Sequence, residues 1–141
     1  MIKKCVTHDA SLTIDSIPHM TIGVVSSLGQ SPRRGSQEDR FTVQMNLPKH
    51  PDTVCVAVYD GHGGSADVSE KLSRVLHLEL DALGGDLDKD DCIQRLFVNL
   101  DQKLFRDCEA GSTAVIAFIR PLRSSPLAGS VSCLFASASV F

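Results

Sequence analysis

Seven successive residues, Thr53 to Tyr59 (TVCVAVY), are almost wholly apolar and run straight into Asp60-Gly61-His62-Gly63-Gly64. An apolar run of this length, rich in β-branched side chains, suits a central strand buried on both faces. The three glycines that follow predict a tight loop whose backbone can be approached closely. The chain is therefore expected to fold around a sheet that delivers one carboxylate, Asp60, to the end of a buried strand.

The flanking segments fit such a sheet. Thr21 to Leu28 is short and β-branched, is broken by Gly29, and predicts a strand. Arg40 to Leu47 alternates apolar Phe41, Val43, Met45 and Leu47 with polar residues, the period of a half-buried strand. Ser31 to Gln37 reads as a loop, and Pro48 to Asp52 as a turn. Past the glycines, Val68, Leu72, Val75, Leu76, Leu80 and Leu83 recur every three or four residues and predict an amphipathic helix over 64–83. Ile93, Leu96, Phe97, Leu100, Leu104, Phe105 and Cys108 mark a second over 88–109, with acidic residues at its start where the helix dipole favours them. The short link through Gly84-Gly85 predicts an antiparallel pair. Ser112 to Ile119 and Val131 to Phe141 read as strands separated by a loop. Residues 1–19 show no period and are expected to be a poorly ordered lead-in. The order of elements predicts an α+β chain with a largely antiparallel sheet.

Bulk properties narrow the function classes. At 141 residues and 22% charged, the chain has the size and polarity of one globular domain. Its net charge of −3 and the lack of a dense Lys/Arg run argue against nucleic acid as a partner. No apolar run reaches the ~20 residues of a membrane helix, and the start lacks a basic-then-apolar leader pattern. The five cysteines form no C-x-x-C pair, so neither a disulfide framework nor a zinc site is indicated. Reduced thiols point to an intracellular protein, cytoplasmic or nuclear.

Two carboxylate clusters carry the chemistry. Glu38-Asp39 precedes one strand and Asp60 ends the next. Adjacent strands could bring them together, and hard divalent cations such as Mg²⁺ and Mn²⁺ prefer carboxylate and carbonyl oxygen. A Glu-Asp pair at a strand start is more often a solvated loop than a ligand set. Asp60, between an apolar strand and a glycine loop, is harder to assign to solvent.

Arg34-x-x-x-Glu38-Asp39, then Val58-Tyr59-Asp60-Gly61-His62-Gly63-Gly64, then Gly111-Ser112-Thr113-Ala114 occur in that order, with two helical segments between the second and third. From about Thr21 to Phe141 the chain resembles the metal-dependent serine/threonine protein phosphatases of the type 2C family. The resemblance implies an antiparallel β-sandwich flanked by antiparallel helix pairs in four layers, of which this chain holds an incomplete, amino-terminal share over 20–141. It implies two Mg²⁺ or Mn²⁺ ions bridged by Asp60, with the Gly61 carbonyl, Glu38 and Asp39 as further ligands, directly or through water. It also implies that Arg34 grips the substrate phosphate and that His62 is a general acid for the leaving serine or threonine oxygen. Only spacing to Glu38 selects Arg34 over Arg33. The substrates implied are phosphoproteins, and Ser112 and Thr113 are expected to be structural.

The sequence departs from the family in two places. Gln37 stands where the family commonly has Met. The family's later Gly-Asp-Ser segment and the aspartates that complete its metal site are not found here, and the chain stops within an apolar strand-like segment. A catalytically inactive, truncated or pseudophosphatase-type binding protein is therefore the alternative expectation. A calcium loop at Asp86-x-Asp88-x-Asp90 fails, because Asp91 and Phe97 stand where such a loop needs Gly and Glu. A serine esterase is excluded by the lack of a G-x-S-x-G elbow.

Overall fold

A computed structural model describes residues 6–8, 22, 24–26, 37–63, 67–106, 108–121 and 131–140. Two short strands, β1 (Val6–His8) and β2 (Val24–Ser26), pair antiparallel. The main sheet is centred on β4 (Val54–Tyr59), with β3 (Arg40–Gln44) along one edge and β6 (Gly111–Pro121) along the other. Beyond β6 lies β7 (Val131–Val140), and every pairing is antiparallel. The dipeptide strand β5 (Gly61–His62) pairs with β6 in the register already set by β4: Val58 faces Val115, and Gly61 faces Ser112. Between them the Thr113 N–H donates to the Asp60 carbonyl at 2.9 Å. Val54 through His62 is thus one line of pairing that carries Asp60 within it.

Two helices cover one face of this sheet. In α1 (Asp67–Ala82), Val68, Leu72, Leu76 and Leu80 follow one another at intervals of four and are fully buried. Asp67 and Glu70 lie in its first turn, where the dipole favours acids. This helix packs on β3, β4 and β6, and α2 (Asp90–Leu100) packs on α1 and β7. The core between the layers joins Cys55, Ala57 and Tyr59 of β4 and Ala114, Ile116 and Phe118 of β6 to the leucine stripe of α1 and to Ile93, Leu96, Phe97 and Leu100. Asp81, near the end of α1, pairs with the His50 imidazole at 2.8 Å and accepts the Lys49 N–H, tying the β3–β4 turn to the helix.

Both expected helices form. The second is shorter than the 88–109 read from its apolar stripe: regular α geometry ends at Leu100 and gives way to a wide π turn over Asp101–Phe105. The strand expected over Arg40 to Leu47 ends at Gln44, because Asn46 takes a left-handed φ of 57° and turns the chain. Met45 then packs near Val54, while Leu47 enters the helix-side core. Within β3 it is polar Thr42 that is buried beneath α1, its hydroxyl 2.8 Å from the Ser73 carbonyl and 3.3 Å from the Tyr59 hydroxyl. Phe41 and Val43 point to the sheet's other face.

That other face bears on the reading of the apolar run. The central strand is covered on both faces at Val54 but not at Val58, which is 54% exposed; Val115 and Phe135 are 52% and 70% exposed. The antiparallel sheet and the α+β class agree with expectation. Among the described residues both helices lie on one side of the main sheet; on the other, Ile22, just before β2, packs on Val54, and Gln37 reaches the Ser26 hydroxyl of β2. Of the lead-in expected over 1–19, only Val6–His8 lies within the described residues.

Candidate functional site

The site is built where β3 begins and β4 passes into β5. The β3–β4 ladder pairs Arg40 with Tyr59, and its register, extended by one residue, sets Asp39 opposite Asp60. Cross-strand neighbours stand roughly 4.5–5.5 Å apart. Side chains alternate along a strand, so Asp39 and Asp60 leave the same face, the one away from the helices. His62 is two residues beyond Asp60 and shares that face. Asp60 and His62 are both exposed, and Asp39 is half-buried.

One further step along the register sets Glu38 opposite Gly61. There the two backbones meet so closely that a Cβ on residue 61 would lie 2.4 Å from the Glu38 carbonyl oxygen and 2.9 Å from the Ser69 hydroxyl. Ser69, in the first turns of α1 and fully buried, donates to that same Glu38 carbonyl. Gly63 is required for a second reason: its φ is +96°, and a Cβ there would lie 2.8 Å from the Ala110 Cα. Successive carbonyls of a strand point to opposite edges. The Asp60 carbonyl is spent on Thr113 of β6, so the Gly61 carbonyl is directed toward the β3 side, where Glu38 and Asp39 lie.

Arg40 holds this segment in place. Its guanidinium donates to the Gln37 carbonyl at 2.8 Å and the Asp39 carbonyl at 2.9 Å, and pairs with the Glu70 carboxylate of α1 at 2.5 Å. Glu70 also pairs with Arg74. Hydrogen bonds from Arg40 first, and then from Arg74, hold the Glu70 carboxyl below its ordinary range. Gln37 links the Asp39 carboxylate, at 3.3 Å, to the Ser26 hydroxyl of β2. Ser112 is fully buried and donates to the Thr113 carbonyl at 2.8 Å, 3.3 Å from the Asp60 carbonyl, a bracing position. The Cys55 thiol, toward the far end of β4, is pushed up to about 12 by burial, so it supplies no thiolate nucleophile near neutral pH.

Of the residues singled out from sequence, the structure brings Asp39 next to Asp60 and Glu38 next to Gly61, with His62 one turn of the pleat away. Arg34 lies outside the described residues. Among the described residues no three His, Cys, Asp or Glu side chains gather into a metal-binding group. The donors present are nonetheless all oxygen: two neighbouring carboxylates and a carbonyl aimed between strands. That set suits Mg²⁺ or Mn²⁺, which accept few protein ligands and keep water for the rest. Sequence reasoning missed Arg40, Ser69 and Glu70. The signal available for Ser69 was a polar residue inside the otherwise apolar stripe of α1; Arg40 could have been found as the cation adjoining the acidic pair.

The chain is 35% identical over 94 residues to a probable protein phosphatase 2C of Caenorhabditis elegans, a match covering 62% of this chain and 26% of that protein. It is 28% identical over 114 residues to the mitochondrial protein phosphatase 1K of Xenopus laevis, covering 74% of this chain and 30% of the relative. No family model matches the chain. Both similarities support a relation to the protein phosphatase 2C family, and the chain spans under a third of the length of these relatives. Among the described residues no helix is long and apolar enough to cross a membrane.

Proposed function

We propose that this chain contributes the amino-terminal part of an Mg²⁺- or Mn²⁺-dependent protein serine/threonine phosphatase site. The observation that carries the reading is the ladder step that sets Asp39 beside Asp60, with the Gly61 carbonyl turned toward them. The similarity to two phosphatases supports the reaction class. Asp39, Asp60 and the Gly61 carbonyl would hold the ions, with Glu38, which the strand alternation turns toward the helix face, engaged through water; the ions would supply charge neutralisation at the phosphoryl group and lower the pKa of a water. The chain's own residues do the rest. Arg34 pairs with two phosphate oxygens through its planar fork. His62, on the same face as Asp60, hands a proton to the leaving serine or threonine oxygen. Gly61 and Gly63 let the backbone close against Glu38 and Ala110, which fixes where Asp60 and His62 stand.

Paramagnetic Mn²⁺ tests the geometry directly. Titrated into the 141-residue chain, it is expected to broaden backbone amide signals at 38–40 and 59–62 and to leave α2 sharp. The double substitution Asp39→Asn with Asp60→Asn should abolish that pattern. A uniform broadening, or one unaffected by the substitutions, would overturn the assignment of ligands. Release of phosphate from a phosphothreonine peptide is the second arm. Any turnover should need Mn²⁺ and vanish with Asp60→Asn or EDTA. Localised Mn²⁺ binding without turnover would refute hydrolysis by this chain and leave the inactive, phosphoprotein-binding reading.

A further inference from the structure

The end of the Gln37 side chain is held at two points. Its amide nitrogen donates one hydrogen to Asp39 Oδ2 at 3.3 Å and the other to the Ser26 hydroxyl at 3.1 Å. An ionised carboxylate can only accept, so the nitrogen of the amide, not its oxygen, faces Asp39. The main chain is fixed as well, because the Arg40 guanidinium donates to the Gln37 carbonyl at 2.8 Å. Ser26 is the last residue of β2 and pairs with Val6 of β1, so the anchor lies in the small two-stranded sheet. Among the described residues no other group donates to the Asp39 carboxylate. One of its oxygens is occupied, and Oδ1 is left for a ligand.

We propose that Gln37 is a positioning residue of the cation site: by capping Oδ2 it makes Asp39 a one-oxygen ligand, and so selects Mg²⁺ or Mn²⁺ against Ca²⁺. This role rests on the function proposed above. Its physical basis is ligand number. Ca²⁺ gathers about six to eight oxygens, partly through carboxylates that give two each, whereas Mg²⁺ is smaller, demands octahedral geometry, takes one or two carboxylates and keeps water. A carboxylate with one oxygen spent on an amide still serves the small ion and denies the larger one a second contact. The same hydrogen bond fixes the rotation of the carboxylate, since its donor is tied down at Ser26 and at the Gln37 carbonyl. A neutral amide suits the position. Lysine or arginine there would cap the oxygen but set a positive charge against the cation, and methionine would fill a similar space and cap nothing.

The test reads cation binding, not turnover. Mn²⁺ is titrated into the 141-residue chain and followed by the broadening of backbone amides at 38–40 and 59–62. Diamagnetic Ca²⁺ is then added, and the recovery of those signals gives the ratio of the two affinities. In Gln37→Met the ratio is expected to move toward Ca²⁺ by about tenfold, the scale on which partners that orient a ligand act. Ser26→Ala loosens the amide without removing it and should move the ratio the same way by less. Should Gln37→Met shift the circular dichroism melt, the Ser26→Ala ratio decides alone. A localised wild-type pattern with an unchanged ratio in the variants would overturn the role of Gln37 and leave the cation site standing. Unlocalised broadening in the wild type would overturn the site and, with it, this role.

Discussion

The carbonyl oxygen of Glu38 lies 2.4 Å from the point where a Cβ on Gly61 would sit. No side chain fits there, since real Cβ atoms do not approach a carbonyl so closely. The oxygen is also held by the buried Ser69 hydroxyl, which lies 2.9 Å from the same point. Gly61→Ala must therefore push β3 from β4 or displace α1. Overpacking of this kind costs about 1–3 kcal/mol. Urea unfolding of the variant should show that loss with an unchanged m-value. Stability equal to wild type would mean that the Glu38 segment yields freely, and the close approach would then not fix the site.

Arg40 is a positioning residue. It touches none of the proposed ligand oxygens of Asp60, yet two of its donors hold the backbone of Gln37 and Asp39, and a third anchors it to Glu70 of α1. Arg40→Gln releases the segment while leaving every carboxylate in place. Loss of a partner that orients a ligand typically costs 10–100-fold in metal affinity. The expected result is an Mn²⁺ titration shifted by about tenfold, with the broadened amides still those of 38–40 and 59–62. Arg40→Lys should recover only part, because an ammonium lacks the planar fork that reaches two carbonyls and a carboxylate at once. Unchanged affinity in both variants would remove Arg40 from the site.

His77 sets a pH dependence in the fold. It is buried on α1, and its Nδ1 has no hydrogen-bond partner among the described residues. Burial holds the imidazole below its ordinary value of 6.5, with the charge of Asp81 acting in the opposite sense. The unfolded chain then binds this proton more readily than the folded one. Stability from this group is fully present above about pH 6.5 and falls as the pH drops toward the folded-state pKa. Denaturation midpoints should decline from pH 7 to pH 5.5, and His77→Leu should flatten that decline. Equal slopes for wild type and variant would assign it to other groups.

How much of this could be read beforehand depended on whether the signal was local. The stripe Val68, Leu72, Leu76, Leu80 specified α1 because each of those side chains answers to one neighbouring layer. The apolar run Thr53 to Tyr59 specified a central strand for the same reason. Asp60, Gly61 and the Glu38-Asp39 pair were legible as types, and the ladder register of β3 against β4 is what makes Asp39 and Asp60 neighbours. Register is a long-range property that a single sequence does not display. The same blindness hid Arg40 and Ser69, whose work is done on backbone carbonyls far along the chain or across the layer. The alternation sets Phe41 and Val43 on one face of β3 and Thr42 on the other, and it is Thr42 that is buried beneath α1. Period 2 shows that two faces differ, and only the position of α1 shows which face is inside.

The face opposite the helices makes its own prediction. Val58 and Val115 are cross-strand partners, each more than half exposed, and Phe135, 70% exposed, stands beside Ala117, which in turn faces Val56. These rows carry no formal charge to oppose contact with another apolar surface. An exposed apolar patch of this kind drives association, and the neighbouring β7 offers strand backbone to a second chain. The 141-residue chain is expected to bind an apolar dye and to sediment faster as its concentration rises. Phe135→Lys with Val115→Lys should reduce both effects. Neither side chain contributes to the helix-side core, so folding stability should change by only about 0.5 kcal/mol. A wild-type chain that stays monomeric and dye-free across the concentration range would show that this face is covered by residues beyond those described.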